Sequence, residues 1–275
     1  MTAGGKSQAH LKRWITGLTA LPVLIGCVWH GGLPLTLMVG AAAAVCLWEY
    51  FHMARPAARV FSDPIQAAAF ASAGALVLLA HAGRPDLMPL AIGGDVLLCG
   101  ALSLREFGAD RSVLERTARQ IQGVVYIPLL LSLVVMLRAT ADGATWIFLL
   151  CAVVFAGDIA ALYAGTVWGR HKLCPSISPG KTVEGALGGL AANLAVGAAG
   201  KTLFLPGVEW GVCLLFSLGA GLAGQAGDLF ESELKRASGV KDSGRLLPGH
   251  GGVLDRIDAL LFAAPVAYAV RIMTA

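Results

Sequence analysis

Apolar residues in this chain come in successive stretches of roughly 17 to 25, the length an α-helix needs to cross about 30 Å of hydrocarbon. Nine such stretches can be marked, at roughly 14–30, 33–53, 64–82, 86–104, 121–137, 144–167, 185–205, 210–229 and 254–273. A single soluble core would use short amphipathic stripes instead. Composition agrees: of 275 residues 56% are hydrophobic and only 14% charged, and the mean hydropathy is +0.71, far from the mix of soluble domains. The expected fold is an all-α polytopic membrane protein of about nine transmembrane helices. No soluble domain, low-complexity linker or internal repeat is visible, so residues 1–275 read as one integral-membrane domain.

An odd number of spans puts the termini on opposite sides. With the amino terminus inside, 17 of the 21 Lys and Arg residues fall in cytoplasmic segments and four (Arg84, Arg138, Lys201, Arg271) fall outside. That bias predicts a cytoplasmic amino terminus and an external carboxyl terminus. The external connections are short and nearly chargeless, whereas the cytoplasmic ones at 105–120, 168–184 and 230–253 are longer and richer. Six cysteines are scattered singly, with no Cys-x-x-Cys pair, and read as small core residues. Lys6, Lys12 and Arg13 before an apolar run, with Leu24-Ile25-Gly26-Cys27, imitate a secretory or lipoprotein signal. Eight further spans follow, and a retained first helix is the expectation.

The densest polar stretch lies between the last two spans: Gly227-Asp228-Leu229-Phe230-Glu231-Ser232-Glu233-Leu234-Lys235-Arg236, then Gly239-Val240-Lys241-Asp242-Ser243-Gly244, then Pro248-Gly249-His250-Gly251-Gly252-Val253-Leu254-Asp255-Arg256-Ile257-Asp258. If the eighth helix continues past the bilayer, Asp228, Ser232 and Lys235 share one face. Asp255 and Asp258 share a face on the first turn of the last helix. Carboxylates at a lipid–water boundary are costly unless paired, ligated or functional, and oxygen ligands suit Mg²⁺. The glycines and Pro248 break the helix and let backbone amides approach an anion. Lys235, Arg236, Lys241, Arg245 and Arg256 supply charge for phosphates. Metal-type carboxylates beside phosphate-type cations predict a phosphoryl or nucleotidyl transferase.

Here the sequence resembles a known family. Ser232, Lys235-Arg236, Lys241-Asp242, Gly244, Pro248, His250-Gly251-Gly252, Asp255-Arg256 and Asp258 are similar, with all spacings kept, to the motif of the phosphatidate cytidylyltransferase (CDP-diacylglycerol synthase) family. Asp158, Tyr163, Gly169-Arg170 and 178–185 resemble a second block, with Gly180 where the family usually has Lys. The first 140 residues or so resemble the family only in hydropathy and in Lys12-Arg13.

The resemblance implies transfer of CMP from CTP to phosphatidic acid, giving CDP-diacylglycerol and pyrophosphate, in the cytoplasmic (inner) membrane of a bacterium with the site facing the cytoplasm. It implies Asp228, Lys235, Lys241 and Asp255 as catalytic residues, and Asp228, Asp255 and Asp258 as ligands of Mg²⁺, with the number of cations and any monovalent partner open. Substrate binding falls to Ser178, Lys181, Thr182, Ser232, Arg236, Asp242, His250 and Arg256, and the catalytic half to about 144–275. CTP and bilayer phosphatidate are the expected partners, with no nucleic acid; a homodimer rests on the resemblance alone.

Each feature also has a plainer reading. Asp228 and Asp255 could face water or cap a helix, the basic residues could answer anionic headgroups, and Asp258 could anchor Arg256. His250 as a base is unneeded, because the attacking phosphate is already anionic. Gly180-Lys181-Thr182 invites a phosphate-loop reading, but Pro175 stands where the first glycine is required and no strand is expected before it. Asp158, mid-span, is a functional candidate. Asp95, His81, Glu49 and His52 read as span-end or packing residues. Transfer to another lipid phosphate or phosphorylation of a polyprenol stays open within the same chemistry, and an ion-coupled transporter stays open outside it.

Overall fold

The computed structural model describes residues 21–54, 62–246 and 251–274. Lys6, Lys12, Arg13, the start of the first span, Pro248 and His250 lie outside them. Among the described residues the chain is almost entirely helical. Seven helical spans are long and apolar enough to cross a membrane, at Gly32–Met53, Pro64–His81, Pro85–Glu106, Val113–Arg138, Gly143–Trp168, Val183–Leu203 and Trp210–Ala237. A shorter apolar helix, α1 (Leu21–His30), and the final helix, whose charged first turn dilutes its apolar character, match the other two expected stretches.

By packing, the chain divides into two compact units, Met1–Val135 with Asp242–Arg256, and Met136–Lys241 with Ile257–Ala275. In the first, α2 (Gly32–Ala54) packs on α3 (Pro64–His81), which packs on α4 (Met88–Glu106) and α5 (Val113–Val124). Asp63 starts α3 by accepting the Ile65 amide at 3.0 Å, with Pro64 at the first helical position, where its missing N–H is not needed. Pro128 lacks the amide that would continue α5, and the chain passes it in a π-turn, Val125–Leu129, before α6 (Leu130–Arg138), a common accommodation of an interrupted ladder.

The segment 105–120, expected as a connection, is helical from Val113. Its charges occupy one face, while Val113, Thr117, Gln120 and Val124 are buried at helical spacing. Arg116 is tied to Asp63 at 2.9 Å and Glu106 at 2.5 Å. Within the spans, Asp95 accepts from Ser72 (2.6 Å) and Gln120 (2.8 Å), which accounts for it as packing glue.

In the second unit, α7 (Gly143–Trp168), α8 (Val183–Leu203) and α9 (Trp210–Ala237) lie against one another, α8 between its neighbours. Small residues set the spacing: a Cβ on Gly188 would stand 2.5 Å from the Ala164 Cβ, and one on Gly197 2.2 Å from the Ser217 Oγ. Such crossings let backbones approach where lipid offers no hydrophobic drive. Trp146 and Phe216 pack at 4.8 Å in the core. The last helix, α10 (Leu254–Met273), packs on α9 in this unit through Phe230 and Phe262, stacked at 5.3 Å.

Between α7 and α8 the chain forms a small antiparallel hairpin, β1 (Lys172–Cys174) and β2 (Ser178–Thr182), with Lys172 opposite Thr182 and Cys174 opposite Ser178. The expectation of no strand before Gly180-Lys181-Thr182 is therefore corrected: β1 precedes it. A phosphate loop is still excluded, because the segment is itself a paired strand rather than a loop wrapped around an anion.

Candidate functional site

Thr182 ends β2 and begins α8: its side chain accepts the Gly185 amide at 3.1 Å, an N-cap that satisfies one of the helix's unpaired donors. This fixes the strand against the helix. Glu184 ties the entering strand at the same open end of the hairpin, accepting the Arg170 and His171 amides at 3.0 and 3.2 Å and meeting the His171 ring at 2.6 Å. At the hairpin turn the Ile177 carbonyl accepts from the Arg236 guanidinium at 3.2 Å. α9 continues as one helix to Ala237, so Asp228, Ser232 and Lys235 do share a helical face.

These constraints aim Lys181 at α9, where its ammonium meets the Asp228 carboxylate at 2.6 Å. Both line a cavity of about 410 Å3, together with Asp158 from α7, Ser178 and Thr182 from β2 and Gln225 from α9. Its remaining wall is mostly apolar, including Leu162 and Leu173, with Thr166 among them. That size and mixed lining suit a small-molecule ligand. Gln225 is held by its amide donating to the Ala186 carbonyl at 3.0 Å.

Asp158 and Asp258 lie within electrostatic reach of Asp228, and Asp258 also feels Lys235. Asp258 accepts its neighbour's amide, that of Ala259, at 2.8 Å. Lys235 pairs with the fully buried Glu231 one turn back. Among the described residues no three His, Cys, Asp or Glu side chains are assembled as a metal-ligand set. The donors nonetheless fit a hard divalent cation chemically. Asp158, Asp228 and Asp258 offer only oxygen, and a cation would offset their mutual repulsion.

Asp255 and Arg256 belong to the other unit. The Asp255 carboxylate accepts the Ser243 amide at 3.0 Å and the Gly252 amide at 2.8 Å, and these do not exhaust the lone pairs of two carboxylate oxygens. Arg256 and Asp242 are exposed there; Lys241 is exposed and Ser232 half-buried in the second unit. His250 lies outside the described residues.

Two residues gain roles that sequence reasoning did not give them. Gln225 lines the cavity, but an amide in a Gly/Ala-rich helix carries no spacing signal. Glu49, assigned to packing, is fully buried and accepts the Val253 and Leu254 amides at 3.0 and 2.8 Å, at the start of α10. A carboxylate inside an apolar span was the available signal.

Comparison with known proteins places the whole chain in context. Residues 11–273 match the profile described as the cytidylyltransferase family. A protein of Brucella suis named phosphatidate cytidylyltransferase is 36% identical over 257 residues, covering 93% of this chain and 91% of that protein. Proteins with the same name from Bacillus subtilis and Staphylococcus aureus are each 32% identical, over 94% and 92% of this chain and 96% of their own lengths.

Proposed function

Because the chain belongs to the cytidylyltransferase family, we infer that it transfers CMP from CTP to phosphatidic acid, forming CDP-diacylglycerol and pyrophosphate. It is a multi-pass membrane enzyme of phospholipid synthesis. Within the fold, the observation that carries this reading is the Lys181–Asp228 pair in a half-apolar cavity beside Asp158. Cation, carboxylate and apolar wall together suit an anionic headgroup attached to acyl chains. Family membership also decides against a transporter.

The chemistry needs little from a base. A phosphate oxygen of phosphatidate forms a bond to the α-phosphorus of CTP, the bond from that phosphorus to the β-phosphate oxygen breaks, and pyrophosphate leaves with the electron pair. The attacking oxygen is already anionic, so the residues' task is to position and to neutralise charge. Lys181, Lys235, Arg236 and Lys241 are assigned to the CTP phosphates, with Ser178, Thr182, Ser232, Asp242, His250 and Arg256 orienting the substrates. Asp228, Asp255 and Asp258 would hold Mg²⁺, which when bound supplies positive charge against both anions. On this reading the chain acts as a single catalytic domain. The site faces the cytoplasm from a bacterial inner membrane, where CTP is available, and the active form is a homodimer.

The test is pyrophosphate release by purified protein in detergent–phosphatidate micelles with CTP and Mg²⁺, comparing wild type with Asp255→Asn. Release that needs CTP, phosphatidate and Asp255 together is expected. Equal release from the mutant would remove Asp255 from the site, and a folded wild type that consumes CTP only with another lipid phosphate would replace the acceptor.

A further inference from the structure

The motif loop before α10 is gripped by two carboxylates, one of which lies far away in the sequence. Glu49, from the cytoplasmic end of α2, has no measurable exposure. Its Oε1 accepts the Val253 amide at 3.0 Å and its Oε2 the Leu254 amide at 2.8 Å. It thus accepts from the N–H groups that open α10, the position where a helix favours negative charge. Asp255 grips the same loop from the other side, through the amides of Ser243 and Gly252.

The glycines around this clamp have a physical reason in it. A Cβ on Gly244 would stand 2.4 Å from the Glu49 Oε1, and a Cβ on Gly252 would stand 2.6 Å from its Oε2. One on Gly251 would stand 2.7 Å from the Asp255 Oδ2. Three motif glycines therefore make room for two carboxylates. Burying a carboxylate costs far more than a helix cap returns unless hydrogen bonds replace its water, and a cap alone could be made by a Ser or Asp in the loop itself. Reaching across from α2 instead fixes the loop to a different helix.

We propose that Glu49 is a positioning residue of this enzyme: by holding the Val253 and Leu254 amides it fixes the start of α10 and so the orientation of Asp255. The assignment rests on the function argued above, in which Asp255 takes part in the reaction. Glu49 touches no substrate. It acts through the loop backbone, and it gives the amino-terminal half of the chain a part in chemistry otherwise carried by the carboxyl-terminal half.

The experiment combines kinetics with a nitroxide label at Leu246→Cys, an exposed position of the loop, in full-length protein in phosphatidate micelles. Glu49→Gln puts an NH2 against one of the two amides. It is expected to lower kcat by about ten-fold or more, as loss of a charge-assisted hydrogen bond does, with KM for CTP nearly held. The label should become mobile, and Glu49→Asp should recover part of both. If Glu49→Gln does not fold, Val253→Pro removes the same amide without touching α2 and should show the same pair of changes. Activity falling only in proportion to folded protein, with an unchanged label spectrum, would make Glu49 merely structural and overturn the proposal, as would an unchanged kcat. A wild type that releases no pyrophosphate from CTP would instead overturn the functional reading, while the label still reports whether Glu49 holds the loop.

Discussion

Lys181 reaches Asp228 from a strand that runs directly into the first turn of α8, and that short connection holds it in place. Replacing it with Met keeps the apolar stem but leaves Asp228 facing Asp158 and Asp258 without this cation. A charge-assisted hydrogen bond contributes about 1.5–3 kcal/mol, so kcat/KM for CTP should fall roughly 10- to 100-fold. Steady-state kinetics with CTP varied at fixed phosphatidate would show it, and unchanged parameters would remove Lys181 from the phosphate site. A second residue-scale prediction concerns Gly251, whose φ is +84°. Gly251→Ala incurs the left-handed cost of about 1–2 kcal/mol and also meets the Asp255 carboxylate. Gly83→Ala, with a φ of +66° and open space around it, incurs only the first. The unfolding midpoint in detergent should therefore fall further for Gly251→Ala, and activity should fall for it alone. At this scale Lys181 and Asp258 could be picked out as candidates because they fall in the two motif blocks, and Asp228 because a carboxylate at a span end is costly. Glu49 was not, because its partners lie 204 and 205 positions away and no local pattern records such a contact.

Among elements, α7, α8 and α9 are held by the smallness of their contact residues rather than by large apolar side chains. Gly197 is the sharpest case. Gly197→Ala drives a methyl into the Ser217 Oγ, a strain of about 1–3 kcal/mol for overpacking, and should lower the unfolding midpoint. The double variant Gly197→Ala/Ser217→Gly should recover much of the loss, since the added and removed atoms occupy the same space. Strictly additive losses in thermal unfolding would show that the two helices do not meet there. The spans themselves could be read from hydropathy because each is a long run of one character. The hairpin could not: Lys172–Cys174 and Ser178–Thr182 are short, polar and broken by Pro175 and Pro179, so neither alternation nor β-branched residues announce them. Strand pairing there follows from the ends, which Thr182 and Glu184 tie down. The start of α5 was hidden differently, since its charged face masked a buried one.

For the molecule as a whole, the chain was read as a continuous bundle with its chemistry in the carboxyl-terminal half, but packing assigns 242–256 to the unit formed by the amino-terminal helices. Hydropathy marks where spans lie and says nothing about which spans a loop will pack on. Orientation is a different matter, because it follows from charge and parity and can be tested without activity. The link carrying Arg84 precedes the span that ends at Glu106, and the link carrying Arg111 follows it, so one crossing separates them. Two further crossings lead to Lys172, and one more to Gly207. Single cysteines in a cysteine-free chain should therefore label in two sets. Arg84→Cys and Gly207→Cys should react with a membrane-impermeant maleimide in right-side-out vesicles, and Arg111→Cys and Lys172→Cys only after permeabilisation. The reverse partition would put Lys181 and the hairpin on the side without CTP and defeat the cytoplasmic site. A mixed partition, with Arg84 and Arg111 on the same side, would mean that Pro85–Glu106 does not cross. The basic residues would then follow their local contacts, as Arg116 does with Asp63 and Glu106, and not the sidedness of the membrane.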